Sequence, residues 1–396
     1  MSNHFLQRQD LSLLYKLNSV LEERRLLKPN EHIFISISGG QDSLSLFLLL
    51  HRLSSNWNWK LSIIHCDHKW HSNSVFQAKH ISRLALRMNI TYYHAISTKN
   101  VKTEEKARKW RYELMRRISI FHGYTGILTG HTASDRIESF FLHLTRGTGL
   151  NGFHSLSWKR KLNNILTINF CSKSQFCCHF KFICFQEYKQ KIQLPKANHN
   201  LSIIRPFLSI TRTQTTKLIQ QWNLYLWLDT SNNSNQIKRN RIRHQLLPYL
   251  RHNLNPQIDS LLNNWIEIVH SESIYLENIV EYILFKIFAN KQIFPEYETL
   301  IIQLLLTLPL TLQRHVLKRF LYINIQRHIT FDQIEQIRLS YGINKLFSQK
   351  YDKKNFQMNP KFERFSLIHL SGDNYIQINK DVVRFCKNAT FSTTTK

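Results

Sequence analysis

The chain has 396 residues, with 54 Lys and Arg against 26 Asp and Glu and a formal charge of +28. That length allows two or three domains with cores. No apolar run reaches the roughly 18 residues that span a bilayer, and six cysteines without Cys-x-x-Cys spacing make no disulfide framework. The excess of cations predicts a polyanionic partner. A composition crowded with Asn, Ile, Lys and Phe also fits AT-rich coding in an organelle or reduced genome. Met1 to Asp10 is polar and lacks a cleavable signal pattern, which predicts a soluble, intracellular protein without a membrane partner.

Leu11 to Leu27 has helical spacing and stops at Lys28-Pro29-Asn30. His32 to Ile37 is then a buried strand and Leu44 to Leu53 an apolar helix, so Ser38-Gly39-Gly40-Gln41-Asp42-Ser43 is the turn between them. Two glycines let the backbone bend and approach a ligand, and the free N–H groups of the helix start attract an anion such as phosphate. A plain strand-to-helix turn capped by serine is the other reading. Eight of the ten glycines fall between residues 39 and 152, which places the active site in that span.

Leu61 to His65, Ile90 to Ile96 and Thr125 to Thr129 continue as strands. They alternate with helices at Ser74 to Met88, Thr103 to Phe121 and Ser134 to Leu144. The fold class is α/β, a Rossmann-like doubly wound parallel sheet whose ligands bind outside the carboxyl ends of the strands. On the helix from Glu104, Arg108, Arg111 and Tyr112 share a face. That face is either solvated or a phosphate clamp, for which guanidinium is well suited. His131 ends a strand, and Asp135 and Glu138 follow one helical turn apart. They are either helix-start carboxylates or a site for a cationic amine, with neutral imidazole at hand to take up its proton. Thr145-Arg146-Gly147-Thr148-Gly149-Leu150 ends the helix with glycine-rich backbone beside another arginine.

Ser-Gly-Gly-x-Asp-Ser after a buried strand resembles the pyrophosphate-loop (PP-loop) signature of the ATP pyrophosphatases; no Walker A string occurs. The ordered set resembles one family within them, the tRNA(Ile)-lysidine synthetases. It adds Glu104-x-x-Ala107-Arg108-x-x-Arg111-Tyr112, His131-x-x-x-Asp135-x-x-Glu138, Arg146-Gly-Thr-Gly-Leu150, Arg205-Pro206-Phe207-Leu208, Leu228-Asp229-Thr230-Ser231-Asn232 and Arg239-Asn240-Arg241-Ile242-Arg243. Ser134 and Arg136 replace the family's usual aspartate and glutamine, which bears on the detail of lysine binding.

The resemblance implies an ATP-dependent ligase that joins free L-lysine to C2 of the wobble cytidine in tRNA(Ile) with a CAU anticodon. Ser38, Gly39, Gly40, Gln41, Asp42 and Ser43 would hold ATP, with Mg2+ at Asp42. Arg108 and Arg111 would stabilise phosphate charge, and His131, Asp135 and Glu138 would position lysine. Arg146, Lys238, Arg239, Arg241 and Arg243 would meet tRNA phosphates. A plastid is the first expected compartment and a bacterial cytoplasm the second; the resemblance leaves a homodimer open. A tRNA 2-thiolation enzyme on the same loop is the competing reading. It needs a sulfur-bearing cysteine, and Cys66 sits at a strand end.

The expected domains are a leading helix at 1–30, the adenylation domain at 31–235 with an insertion at 153–200, and a basic linker helix at 236–256. A helical tRNA-binding domain at 257–342 and a C-terminal segment at 343–396 with short strands complete the chain. The pattern from Ile258 to Tyr341 is helical throughout. Within the insertion, Cys177, Cys178, His179 and Cys184 fit no common zinc-ligand spacing, and Phe176 to Phe185 alternates like a strand with cysteine as a small hydrophobe, so the segment is read as a hairpin rather than a metal site.

Overall fold

The computed structural model describes residues 8–68, 74–97, 103–149, 152, 156–162, 176–179, 201–224, 237–289, 299–325, 329–350, 366–369, 374–378 and 382–387. Leu150, most of the insertion, the motif from Leu228 to Asn232 and the tail from Asn388 lie outside the described residues. The chain forms two units, Met1–Val269 and His270–Lys396. Among the described residues no helix is long and apolar enough to cross a membrane.

In the first unit β1 (His32–Ser36), β2 (Lys60–Asp67), β3 (Thr91–Ile96), β4 (Gly126–Thr129), β5 (Lys159–Lys161), β6 (Phe176–His179) and β7 (Ser202–Ile204) form one sheet. Its order is β5-β7-β4-β1-β2-β3-β6, parallel from β7 to β3 and antiparallel at both edge strands. The alternation of β1 explains its central place. Ile33 and Ile35 face a layer with α1 (Arg8–Glu23) and α2 (Gln41–Trp57), while Phe34 faces Leu114, Met115 and Ile118 of α4 (Glu104–His122). Every residue of α2 from Ser43 to Leu50 is buried, as a helix apolar on all sides requires.

Thr103 accepts the Lys106 backbone N–H and so starts α4 one residue later than the apolar pattern suggests. With α3 (Ser74–Arg87), β2 and β3 lie on one side of β1, and β4 lies on the other. The strand order therefore reverses between β1 and β4, which opens a crevice at their carboxyl ends. The turn from Ser38 leaves β1 there, and His131 leaves β4 beside it. Then α5 (Ala133–Leu144) and α6 (Arg212–Gln221) begin on the same rim. Next, α7 (Lys238–Arg241) passes through a π-helical turn (Ile242–Leu246) into α8 (Leu247–Asn253), followed by α9 (Ile258–Ala289).

The second unit differs from the expected all-helical stretch. β8 (Thr299–Ile301) interrupts it and pairs with β11 (Val382–Lys387) in a four-stranded antiparallel sheet ordered β8-β11-β10-β9, with β9 (Ser366–His369) and β10 (Asn374–Ile378). Leu300, Leu305, Val316 and Phe320 share one cluster with Ile376, Val383 and Phe385. They include residues of α10 (Ile302–Thr307) and α11 (Leu310–Ile325), and Ile334 and Ile337 of α12 (Phe331–Lys350) join them. A three-residue apolar run has no readable period, which is why β8 looked helical.

Candidate active site

The turn after β1 is laced by its two serines. Ser43 Oγ accepts the Ser38 N–H at 3.2 Å and donates to Gly40 O at 3.0 Å, while Ser38 Oγ accepts the Gly40 N–H at 3.4 Å. Gly39 sits at φ +84°, a region that favours glycine, and Gly40 caps α2 without any side-chain acceptor. The first N–H groups of α2 are thus left to an anion. Gly130 ends β4 against this helix start. A Cβ there would stand 2.8 Å from both Ser43 N and Cα, so glycine is what lets the two segments meet.

The structure turns Gln41 out of the loop. Its amide donates to Arg212 O at 3.1 Å and to the Thr215 and Thr216 hydroxyls at 3.2 and 2.9 Å, tying α2 to α6. Asp42 accepts the Thr215 hydroxyl at 2.5 Å and Arg212 Nε at 3.1 Å. Burial raises its pKa from the ordinary carboxylate value, against the pull of Arg212.

Asp135 and Glu138 converge as their spacing requires, and three guanidiniums meet them. Asp135 Oδ2 closes a capping box with Thr132, accepting its N–H at 2.8 Å and its hydroxyl at 2.9 Å. Asp135 Oδ1 accepts Arg212 Nη2 at 2.9 Å and Arg239 Nη2 at 2.8 Å. Glu138, 1% exposed at its side chain, accepts Arg239 Nε at 2.7 Å and both Arg243 Nε and Nη2 at 2.7 and 2.9 Å. Burial opposes ionisation of Asp135, but Arg239 and Arg212 outweigh it and hold the carboxyl far below the usual range. The same carboxylates raise Arg212 above its ordinary value although burial opposes this.

Arg239 and Arg243, expected on tRNA phosphates, are therefore turned inward onto carboxylates. Their i,i+4 spacing puts both on one face, while Lys238, Arg241 and Arg146 are exposed. Arg212 was not foreseen. A single arginine after Thr211 carries no sequence signal, yet its one guanidinium reaches Asp42, Asp135 and Glu138.

His131 Nδ1 lies 2.9 Å from the Thr129 hydroxyl. Burial, with Arg205, Arg239 and Arg108 nearby, pushes its pKa down to about 3 despite the opposing charge of Asp135. This imidazole is neutral at pH 7 and a weak store for a proton. Arg108 lies over the Tyr112 ring at 5.6 Å. Arg111 acts on Cys66 and His68 at the end of β2, and both arginines act on Tyr112. The two family departures resolve locally. Ser134 Oγ accepts the Arg212 N–H at 3.2 Å. Arg136 points away from the crevice, pairing with Glu267 at 2.8 Å, and stands apart from the Asp135 and Glu138 cluster.

Known proteins resemble this chain over most of its length. A PP-loop domain model matches residues 10–250. The chain is 41% identical over 389 residues to a chloroplastic tRNA(Ile)-lysidine synthase of Zygnema circumcarinatum, covering 97% of this chain and 93% of that one. It is 34% identical over 323 residues to a tRNA(Ile)-lysidine synthase of Synechococcus sp., covering 82% and 86%. Among solved structures, a U34-tRNA thiolase of Methanococcus maripaludis is similar with TM-score 0.49 and 14% identity, covering 66% of this chain and 80% of that one.

Proposed function

The chain belongs to the tRNA(Ile)-lysidine synthases on a PP-loop domain, and from that premise we propose how its residues carry out the ligation. ATP activates the wobble cytidine of a CAU-anticodon tRNA(Ile). The C2 carbonyl oxygen bonds to the α-phosphorus and pyrophosphate leaves. The ε-amine of lysine then bonds to C2, its protons pass to solvent, and AMP leaves, giving lysidine.

One observation carries this assignment to the crevice. A single guanidinium, that of Arg212, spans the turn carboxylate Asp42 at 3.1 Å and the amine-site carboxylate Asp135 at 2.9 Å. Nucleotide loop and amine site thus share one pocket, as a two-step reaction on one base requires. Ser38, Gly39, Gly40 and Ser43 surround the departing pyrophosphate at the α2 N-terminus. Magnesium commonly takes one or two protein carboxylates and lets phosphates and water supply the rest, and Asp42 at the loop fits that pattern. Bound there, the ion would neutralise phosphate charge. Arg108 and Arg111 extend the cationic rim, and Lys238, Arg241 and Arg146 offer exposed charge to the tRNA backbone.

Each oxygen of Asp135 and Glu138 is already engaged, so lysine enters by exchange, its ammonium replacing a guanidinium on Glu138. Neutral His131 stands at the edge of that site, its Nδ1 2.9 Å from the Thr129 hydroxyl. Cys66 opposes a thiolation reading, because burial pushes its thiol up to about 12 and keeps it protonated. The chloroplastic relatives favour a plastid, and we place the enzyme in its stroma.

Radiolabelled lysine, a CAU-anticodon tRNA(Ile) transcript, ATP and Mg2+ provide the test. Wild type is expected to label the tRNA and Asp42→Ala to fail. Release of pyrophosphate with tRNA but without lysine incorporation would keep the adenylation and move the acceptor to another nucleophile.

A further inference from the structure

Beside the charge-balanced crevice lies a corner where, among the described residues, cations meet without a carboxylate. Arg205 follows β7 and is 0% exposed. Its Nη1 donates to Ser157 O at 2.8 Å, whereas among the described residues Nε and Nη2 find no partner of hydrogen-bond geometry. The group beside it is the Tyr112 phenol, and the charges acting on it include Arg160 and Arg108. Those two guanidiniums lie 5.9 and 5.6 Å from the Tyr112 ring centroid. A buried guanidinium whose Nε and Nη2 have only the neutral Tyr112 phenol beside them is costly unless an anion completes it. Nε and Nη2 form the parallel fork that takes a carboxylate in bidentate fashion.

The sheet says which anion fits. β7 lies next to β4, and β4 next to β1. At about 4.8 Å per strand, the end of β7 is one strand beyond His131 and roughly 10 Å from the pyrophosphate loop. Pyrophosphate is therefore served elsewhere, and the corner lies on the amino-acid side of His131.

We propose that Arg205, with Tyr112 and Arg108, forms the subsite for the carboxylate of the amino acid whose ammonium meets Asp135 and Glu138. This deepens the proposed function and rests on it. The pocket then reads both ends of lysine, anion at β7 and cation at α5, and rejects a diamine of the same length. A carboxylate that completed the fork would hold the ε-amine in register with the activated base.

Lysine, lysinamide and 1,5-diaminopentane are the probes, with tRNA labelling as the readout. Wild-type labelling by lysine is measured first; its absence in folded protein overturns the proposed function itself, before any variant is made. The subsite predicts that wild type shows a KM for lysinamide roughly tenfold to a hundredfold above that for lysine, with the diamine no better, as charged hydrogen bonds allow. Arg205→Gln should raise the lysine KM by a similar factor and erase the preference over lysinamide, leaving the ATP KM unchanged. Arg205→Lys should keep part of the preference.

Wild-type indifference between lysine and lysinamide overturns the subsite without needing a variant. Equal weakening of both by Arg205→Gln would assign the residue to the fold through Ser157, and a raised ATP KM would make the bound anion a phosphate.

Discussion

Helix α5 carries an ion cluster on each side, and the two differ in what solvent can reach. Toward the crevice, Asp135 and Glu138 meet Arg212, Arg239 and Arg243, whose side chains are 21 to 26% exposed. On the other side Arg136, 1% exposed, is paired with Glu267, which also accepts Arg24 Nη1 at 2.7 Å and Trp158 Nε1 at 3.1 Å. Partly exposed guanidiniums can leave their carboxylates and be solvated, so the crevice cluster is exchangeable. Arg136 has no such exit, and losing its partner strands a buried charge. The same chemistry thus forms an exchangeable cluster on one face, where we propose that substrate binds, and attaches α9 on the other.

Glu138→Ala should break the crevice side alone. Truncating a buried, hydrogen-bonded charge partner weakens lysine transfer by about a hundredfold or more. Pyrophosphate release with tRNA should persist, because Arg212 reaches Glu138 only at 3.4 Å and keeps its shorter bonds to Asp42 and Asp135. Measuring the two half-reactions separately checks this. Loss of both together, with a lowered melting point, would show that the crevice cluster is as structural as its counterpart.

Glu267→Ala should break the other side, costing about 3 kcal/mol of stability through the unpaired Arg136. The readout is a lower urea midpoint for the transition in which ATP binding is lost, and the lysine KM of the remaining folded enzyme should not move. A double-mutant cycle with Arg136→Gln sharpens this, since a direct pair gives a large coupling and independent sites give almost none. An altered lysine KM would instead mean that Arg136 and Glu267 set the aim of α5.

Much of the crevice was legible because its signals are local. The glycine turn after a buried strand, the alternation of strands and helices, and the spacing of Asp135 and Glu138 all act within a few residues. Arg212 lay beyond such reasoning, since it bonds Asp42 across 170 residues and Asp135 across 77. Arg239 and Arg243 were visible as cations but not as inward ones. A basic helix looks the same whether its partners are phosphates or carboxylates buried some hundred positions earlier, as Glu138 is. β5, β7 and β8 escaped for a different reason, three residues being too few to show a period.

Thr132 offers the smallest and most discriminating change, because it belongs to the crevice side yet bears no charge. Its hydroxyl accepts the Asp135 N–H at 3.4 Å and donates to Asp135 Oδ2 at 2.9 Å, while its own N–H holds that oxygen at 2.8 Å. Thr132→Ala removes the cap and should cost about 1 kcal/mol in thermal or urea unfolding, with Thr132→Ser close to wild type. The backbone donor survives, so Asp135 keeps its Oδ1 toward the crevice and the lysine KM should rise only a few-fold. A loss of lysine transfer larger than that of Glu138→Ala would reverse the ranking of the two carboxylates. The aim of Asp135, fixed by its own helix cap, would then set the position of the attacking amine, and Glu138 would serve chiefly to hold the arginines that lysine displaces.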